Sequence, residues 1–267
     1  MTSPGPDTLP PGLGDVVVTR GDVRVPTTAR HAGVLWRAEG RRFWLHVPEV
    51  ADYLVEDGAT ITVQDAPGGA GLAAVERHLL AAPVAALWMM RGVAVLGASV
   101  AAGPDGAVAV CGHAGAGKSS LVSELLDRGW DLVADGVAPV VVEAGVPYCL
   151  PAADSVWAWD DIDVVRRPWV HAPVPLAAVV LLSSVRAELA VSAPRAGLDR
   201  FLGLHENRYL SSMTGAVLGT EVFLRTMGEV ARSSVTMVDV ERPSRTETRA
   251  VLADLVIELV AGRAREA

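Results

Sequence analysis

Residues 112–119 have the residue types and the spacing of a phosphate-binding loop. They read GHAGAGKS and match the pattern G-x-x-x-x-G-K-[ST] at every position. In such a loop the glycines let backbone amides face the phosphates, the lysine reaches the outer phosphates and the hydroxyl coordinates Mg²⁺. The pattern therefore predicts that the chain binds the phosphates of a nucleoside triphosphate through Lys118 and Mg²⁺ through Ser119.

Lys118 is the one lysine among the 23 lysine and arginine residues of the chain. A compact ammonium on a flexible stem can enter a cradle of backbone amides, whereas a planar guanidinium is too wide. The use of arginine at every other basic position therefore indicates a phosphate site in use. We assign no catalytic role to His113, which occupies a variable position. The predicted nucleotide-binding residues are Gly112, His113, Ala114, Gly115, Ala116, Gly117, Lys118, Ser119 and Ser120.

Phosphoryl transfer also needs a carboxylate that coordinates the metal or accepts the proton of the attacking hydroxyl. Asp135 is the leading candidate, because it follows the apolar stretch 132–134 and so ends a predicted strand near the loop. Ligands of open α/β sheets bind at the carboxyl ends of strands. The dipeptide Asp135-Gly136 is also typical of a surface turn, so that interpretation stays open. The alternative acids are Glu143, Asp154, Asp160, Asp161 and Asp163.

The elements that must position these residues are predicted from apolar runs and their periodicity. We predict strands at 106–111, 137–142, 177–182 and 235–240, helices at 118–128 and 245–263, and a mostly helical stretch at 195–226. The strand before the loop and the helix after it are the context that a phosphate-binding loop requires.

The apolar stretch 79–102 is the one candidate for a membrane span. It contains Pro83, Arg91 and several small residues, which weaken insertion into a bilayer. We therefore expect no membrane span here, and predict a buried helix at 75–90 followed by a buried strand at 93–100.

Three segments differ in composition along the chain. Residues 1–14 are rich in Pro and Gly, which predicts a disordered tail. Residues 15–75 contain short apolar alternations separated by turn signals, which predicts a β-rich N-terminal segment. Residues 76–267 alternate longer helical and strand patterns, which predicts an α/β domain around the phosphate-binding loop.

The net charge of -8 and the sequence pI near 5.2 provide no basic field for nucleic acid, so we expect no such partner. The two cysteines are too few for a disulfide framework, and the opening residues lack the pattern of a signal peptide. A cytoplasmic protein is therefore expected. The five histidines outside the loop show no metal-ligand spacing, and a homo-oligomer stays open.

Residues 112–137 resemble the HPr kinase/phosphorylase-like family. In that family the helix after the loop ends in Arg-Gly, and a short strand then leads to a pair of acids. Arg128-Gly129 and Asp135 match this pattern. Residues 90–100 are similar to the family's Arg-Gly followed by a strand that carries His-Ala-Ser. The resemblance covers about residues 79–240.

The resemblance implies an α/β fold with a P-loop kinase core of the HPr kinase and phosphoenolpyruvate carboxykinase type, preceded by the small β-rich segment. It implies ATP-dependent phosphorylation of a serine hydroxyl in a peptide or protein, such as the precursor peptide of a natural product. Gly97 replaces the family histidine, and Gly136 replaces the second acid. A nucleotide-binding partner or scaffold protein with impaired catalysis, and a kinase for a small hydroxyl-bearing molecule, therefore stay open as alternatives.

Overall fold

The computed structural model describes residues 9–28, 31–152, 155–157, 164–166, 169–185, 189–242 and 248–266. Of the acids named as alternatives to Asp135, only Glu143 lies within the described residues, and Asp154, Asp160, Asp161 and Asp163 lie outside them. Residues 1–8 of the predicted tail also lie outside the described residues. The helices are α1 (Leu72–Leu79), α2 (Ala82–Met90), α3 (Lys118–Asp127), α4 (Leu198–Glu206), α5 (Ser211–Val217), α6 (Thr220–Arg232) and α7 (Thr248–Glu266).

The strands of the described residues fall mostly in two sheets. They are β1 (Val17–Arg20), β2 (His31–Ala32), β3 (Trp36–Glu39), β4 (Arg42–Val47), β5 (Ala51–Glu56), β6 (Thr60–Asp65), β7 (Ala94–Leu96), β8 (Ala98–Gly103), β9 (Gly106–Gly112), β10 (Asp131–Asp135), β11 (Ala138–Glu143), β12 (Val146–Cys149), β13 (Ser155–Trp157), β14 (Val164–Arg166), β15 (Val174–Val185), β16 (Ala190–Val191) and β17 (Thr236–Arg242). The predicted mixed α/β fold is confirmed.

The contacts within the chain divide it into two compact units. The first contains residues 1–95 and 209–223, and the second contains residues 96–208 and 224–267. The sequence-based boundaries at residues 14 and 75 stay predictions. The six-stranded sheet lies in the first unit, and the strands around the loop lie in the second.

The first unit contains a sheet in the order β1-β6-β5-β4-β3-β2. Its strands pair antiparallel except for β1 and β6, which are parallel. Phe43, Tyr53 and Ile61 are fully buried on these strands, and the Tyr53 hydroxyl donates a hydrogen bond to the Val75 carbonyl at 2.8 Å. The β-rich N-terminal segment predicted from alternating apolar residues is therefore present.

Residues 72–90 form two helices where the sequence predicts one helix over 75–90. The break precedes Pro83, which lies in the first turn of α2, where a missing backbone N–H costs least. Within the described residues, this stretch alone is long and apolar enough to span a membrane, but 56% of its window is buried. Every residue of α2 is buried, which is the pattern of a core helix.

Part of the predicted disordered tail is ordered. Residues Pro11–Leu13 form a 3₁₀ turn, Leu13 is fully buried and Leu9 is 7% exposed. Burial of two leucines offsets the entropy that a Pro/Gly-rich segment loses on ordering. The composition of the segment did not reveal this, because the two leucines are isolated among turn-forming residues.

The second unit contains the sheet that carries the phosphate-binding loop. Strands β9, β15 and β17 are parallel, β8 is antiparallel to β9, and β10 is antiparallel to β8. The carboxyl ends of β9, β10, β15 and β17 therefore lie at the same edge of the sheet as the first residues of β8. Ligand sites of open α/β sheets occur at such an edge.

Helices α3 and α7 cover the sheet of the second unit with one apolar cluster. Leu121 and Leu125 of α3 and Val256 of α7 are fully or almost fully buried in it, together with Val110 of β9. Burial of a large aliphatic side chain contributes roughly 1.5–3 kcal/mol. The packing therefore fixes α3, and with it the loop that joins β9 to α3.

Candidate functional site

The phosphate-binding loop lies between β9 and α3 in the second unit, as the pattern predicts. Gly112 has a φ of 146°, and a Cβ at this position would lie 2.7 Å from the Leu182 carbonyl oxygen. Gly117 has a φ of 90° immediately before α3. Both positions therefore require glycine, by contact at residue 112 and by backbone conformation at residue 117.

The side chain of Lys118 folds back over the start of the loop. Its Nζ donates hydrogen bonds to the carbonyl oxygens of Gly112, at 2.9 Å, and His113, at 3.0 Å. Burial lowers the pKa of Lys118, and the nearby Cys111 and Asp135 oppose that shift. The ammonium that would hold the outer phosphates therefore lies at the first two residues of the loop.

His113 is exposed, as expected for a variable position of the pattern. Its Nδ1 lies 2.6 Å from the Ala114 carbonyl oxygen, within its own loop. No role in catalysis follows from this contact.

Ser99, Ser119 and Asp135 form a cluster that we call the serine–aspartate cluster. The hydroxyls of Ser99 and Ser119 both donate to Asp135 Oδ1, at 2.5 Å and 2.7 Å. The two hydroxyl oxygens are 3.4 Å apart, and Ser99 is fully buried. Two hydroxyls therefore orient one carboxylate at the start of α3.

The sheet brings the three residues of the cluster together. Asp135 is the last residue of β10 and pairs with Ser99 near the start of β8, while Ser119 lies in the first turn of α3. Because β8 lies between β9 and β10, Asp135 is two strands away from the loop. The prediction that Asp135 ends a strand is correct. The antiparallel strand β8 supplies Ser99, which contacts both Asp135 and Ser119.

Ser99 is the cluster residue that the sequence prediction missed. It lies in the segment Gly97-Ala98-Ser99, which is similar to the family's His-Ala-Ser but carries a glycine in place of the histidine. The signal that could have identified it is the turn at 103–106, which predicts that β8 and β9 pair antiparallel. In such a pair, Ser99 near the start of β8 lies at the same edge of the sheet as the loop that follows β9. Glu143, an alternative acid, is exposed at the end of β11, and no contact within the described residues joins it to the cluster.

The donor atoms of the cluster suit Mg²⁺. They are two hydroxyl oxygens and one carboxylate, and Mg²⁺ binds through one or two carboxylates together with substrate phosphates and water. The residues that the structure describes contain no group of three or more His, Cys, Asp or Glu side chains that could hold a metal ion. A metal here would therefore depend on the nucleotide for part of its coordination.

A pocket of about 450 Å³ lies beside the loop, entirely within the second unit. We call it the Arg195 pocket. Its lining includes Gly97, Gly112, His113, Arg195, Glu206 and Asp239. Leu181 and Arg208 also contribute to its wall, so the pocket has both charged and apolar surfaces.

Arg195 and Asp239 form a bidentate ion pair in this pocket. Arg195 donates through Nε and Nη2 to the two oxygens of Asp239, at 2.7 Å each. The hydrogen bonds to Asp239 raise the pKa of Arg195. Arg195 Nη1 also donates to the Asp199 carbonyl at 3.0 Å, so the pair joins β17 to the segment before α4.

The two glycines that replace family side chains differ in what they allow. A Cβ at Gly97 would lie 3.6 Å from the Asn207 carbonyl oxygen, which is ordinary contact. Gly136 has a φ of 82° and open space around a Cβ. At position 97 the backbone leaves room for a Cβ, so the fit of a histidine depends on the packing of its ring. At position 136 there is space for an aspartate side chain, but the positive φ would strain its backbone.

Neither a comparison with protein-family models nor one with curated proteins returns a match. Among solved structures, the chain is similar to the Hpr(Ser) kinase/phosphatase from Coxiella burnetii, with 16% sequence identity and a TM-score of 0.40. The match covers 64% of this chain and 97% of that chain. At this identity and TM-score the likeness implies nothing about activity or substrate.

Proposed function

We propose that the chain is an ATP-dependent kinase of the HPr kinase type that phosphorylates a hydroxyl. The observation that supports this most is the convergence at one sheet edge of the loop, Lys118, the serine–aspartate cluster and the Arg195 pocket. Phosphoryl transfer depends mainly on positioning and on charge. The edge supplies a cation and a carboxylate for the nucleotide and a space for an acceptor.

Each residue at the loop has a role in this proposal. The loop amides and the N-terminus of α3 hold the phosphates, and Lys118 neutralises the outer ones. Ser119 and Asp135 would hold Mg²⁺, which would neutralise charge on the transferred phosphoryl group. Asp135 is also a candidate for the base, and Ser99 keeps its carboxylate oriented toward Ser119.

We propose a serine of a peptide or protein as the acceptor, with a natural-product precursor peptide as the narrower case. The family resemblance of residues 79–240 supports this acceptor. The net charge of -8 argues against nucleic acid, and the buried α2 argues against a membrane span. We therefore propose a cytoplasmic kinase whose substrate is a peptide, a protein or a small hydroxyl-bearing molecule.

A second candidate function is a nucleotide-binding partner or scaffold without transfer. The observation that favours it is the absence of a side chain at both Gly97 and Gly136, where the family carries a histidine and an acid. A single preorganised polar group is often worth about 10²-fold in rate. Loss of two such groups would lower the rate of phosphoryl transfer, which is the physical argument for a site without catalytic activity.

The two candidates are separated by incubation with γ-labelled ATP, Mg²⁺ and a panel of serine peptides and free serine. We expect label on a peptide from the parent chain and none from Lys118→Ala. Nucleotide with Mg²⁺ should raise the melting temperature of the parent, since a ligand at ~100 times its Kd adds about 2.7 kcal/mol to stability.

The outcomes distinguish all of the candidates. Label on free serine alone would identify a small-molecule kinase. A melting shift without transfer to any acceptor would favour the scaffold. An unshifted melting temperature with every nucleotide would contradict both functions, and unchanged nucleotide affinity in Lys118→Ala would contradict the role of that residue.

A further inference from the structure

The Arg195 pocket lies beside the start of the loop, where Lys118 would hold the outer phosphates. Lys118 donates to the carbonyls of Gly112 and His113, and both of these residues line the pocket. Since Lys118 is the group that holds the outer phosphates, a molecule in this pocket would face the phosphate that is transferred.

Among the described residues, two carboxylates line the pocket, and they differ in their hydrogen-bond partners. Both oxygens of Asp239 accept hydrogen bonds from Arg195 at 2.7 Å, so both are engaged in the bidentate pair. Glu206 is exposed at the end of α4. Within the described part of the chain, no hydrogen bond or ion pair engages its carboxylate, and it lies close enough to Arg195 to help raise the pKa of that guanidinium.

Asp135 is held in the serine–aspartate cluster. Its Oδ1 accepts hydrogen bonds from Ser99 and Ser119, and it is not one of the described residues that line the pocket. An oxygen that faces the Ser119 hydroxyl is positioned for the metal of a phosphate-binding loop. A base must instead be within reach of the acceptor hydroxyl.

The backbone beside Glu206 is tied to the position where the family carries a histidine. The Gly97 N–H donates to the Asn207 carbonyl at 2.8 Å, and Arg208 forms a β-bridge with Leu96. The Asn207 side chain donates to the Gly203 carbonyl at 2.8 Å. These contacts hold the end of α4 against the strand start, so a carboxylate lines the pocket at a place where Gly97 presents no side chain.

We propose that the Arg195 pocket binds the hydroxyl acceptor and that Glu206 accepts its proton, while Asp135 serves the metal. The inference rests on the proposed kinase function. The acceptor oxygen forms a bond to the γ-phosphorus as the bond from that phosphorus to the β,γ-bridging oxygen breaks. ADP leaves with that electron pair, and the proton passes from the acceptor hydroxyl to Glu206 and then to solvent.

The test is steady-state transfer from ATP to the serine peptide that the parent chain labels best. In Glu206→Gln we expect kcat to fall at least ~100-fold, the loss typical of a missing general base, with the KM for the peptide nearly unchanged. Glu206→Asp should retain part of the rate. Glu258→Gln, on the exposed face of α7, is the matched control and should retain the parent kcat.

A second readout separates Glu206 from Asp135. The affinity of Glu206→Gln for ADP with Mg²⁺ should stay within about twofold of the parent value, since a base acts in the transition state and not in nucleotide binding. In Asp135→Asn, added Mg²⁺ should no longer strengthen nucleotide binding. Weakened nucleotide binding in Glu206→Gln would indicate a structural role and would overturn the assignment.

The remaining outcomes are also decisive. If the parent transfers label and Glu206→Gln transfers it at the parent rate, the inference fails and the kinase proposal stands. If the parent labels no acceptor, the kinase proposal fails, and the assignment of a base fails with it.

Discussion

The serine–aspartate cluster and the Arg195 pocket, which we call the two sides of the phosphate-binding loop, are built differently. On one side, Ser99, Ser119 and Asp135 are joined by short hydrogen bonds, and Ser99 is fully buried. On the other side, Glu206 is exposed in a pocket of about 450 Å³ whose walls come from segments far apart in the chain. A fixed set of oxygens suits a metal that needs defined geometry, whereas an open pocket suits an acceptor that must enter and leave.

The largest expected effect is that of Asp135→Asn. The substitution removes the negative charge of the cluster, and we expect phosphoryl transfer to fall by about 10³-fold, the upper range for one preorganised group. Nucleotide binding without Mg²⁺ should match the parent. Transfer assays and nucleotide titrations with and without Mg²⁺ measure both quantities.

Asp131→Asn is the matched control for that variant. Asp131 is exposed at the opposite end of β10, so its replacement should leave transfer at the parent rate. Transfer by Asp135→Asn close to the parent rate would contradict the difference between the two sides of the loop. The metal role would then move to another acid, with Glu143 the first to examine.

A smaller effect is expected when the ion pair of the pocket is broken by Asp239→Asn. Arg195 and Asp239 are 24% and 21% exposed, so solvent screens the pair only in part. We expect the free energy of unfolding to fall by about 2 kcal/mol, as for hydrogen bonds to a charged group. Urea denaturation measures this loss, and the Mg²⁺ requirement for nucleotide binding should not change.

Asp199→Asn is the comparison for the ion pair. Arg195 binds the backbone carbonyl of Asp199, which the substitution leaves in place, so the stability should change by no more than about 0.5 kcal/mol. Equal losses in both variants would mean that the pair with Asp239 does not organise the pocket. An altered Mg²⁺ requirement in Asp239→Asn would mean that the two sides of the loop are coupled.

The same contrast explains how much of the site could be predicted from the sequence. The loop, helix α3 and Asp135 at the end of β10 follow from local patterns within about 25 residues. Ser99 depends on the register of β8 with β10, and Glu206 depends on the end of α4 meeting Gly97. Those contacts are non-local, and apolar periodicity assigns elements without assigning their neighbours.

Element boundaries show the same limit in the first unit. The apolar run 75–90 predicts one helix, but a second helix begins at Ala82, because the ring of Pro83 cannot continue the first helix. Leu13 carries no periodic signal, yet it is fully buried. A single buried leucine in a Pro/Gly-rich segment has its effect through tertiary contacts, which composition does not encode.

The smallest expected effect is that of Ser99→Ala. The substitution removes one of the two hydroxyl donors to Asp135 Oδ1 and leaves the Ser119 donor in place. A hydrogen bond to a charged group contributes about 1.5–3 kcal/mol. With Ser119 retained, we expect the lower end of this range, which is about a tenfold loss of transfer, and a higher Mg²⁺ concentration at half-maximal rate.

A double-mutant cycle determines whether Ser99 acts through Asp135. If Ser99 serves only to orient that carboxylate, adding Ser99→Ala to Asp135→Asn should cost little further rate, because residues in one hydrogen-bond network are not additive. Additive losses would mean that Ser99 contributes by another route, such as direct contact with the metal. The unfolding free energy of each variant must be measured in parallel, since Ser99 is fully buried and a loss of fold would also reduce transfer. A Ser99→Ala chain that keeps its stability but requires more Mg²⁺ would assign the hydroxyl to the metal side of the loop, and an unchanged Mg²⁺ requirement would remove Ser99 from it.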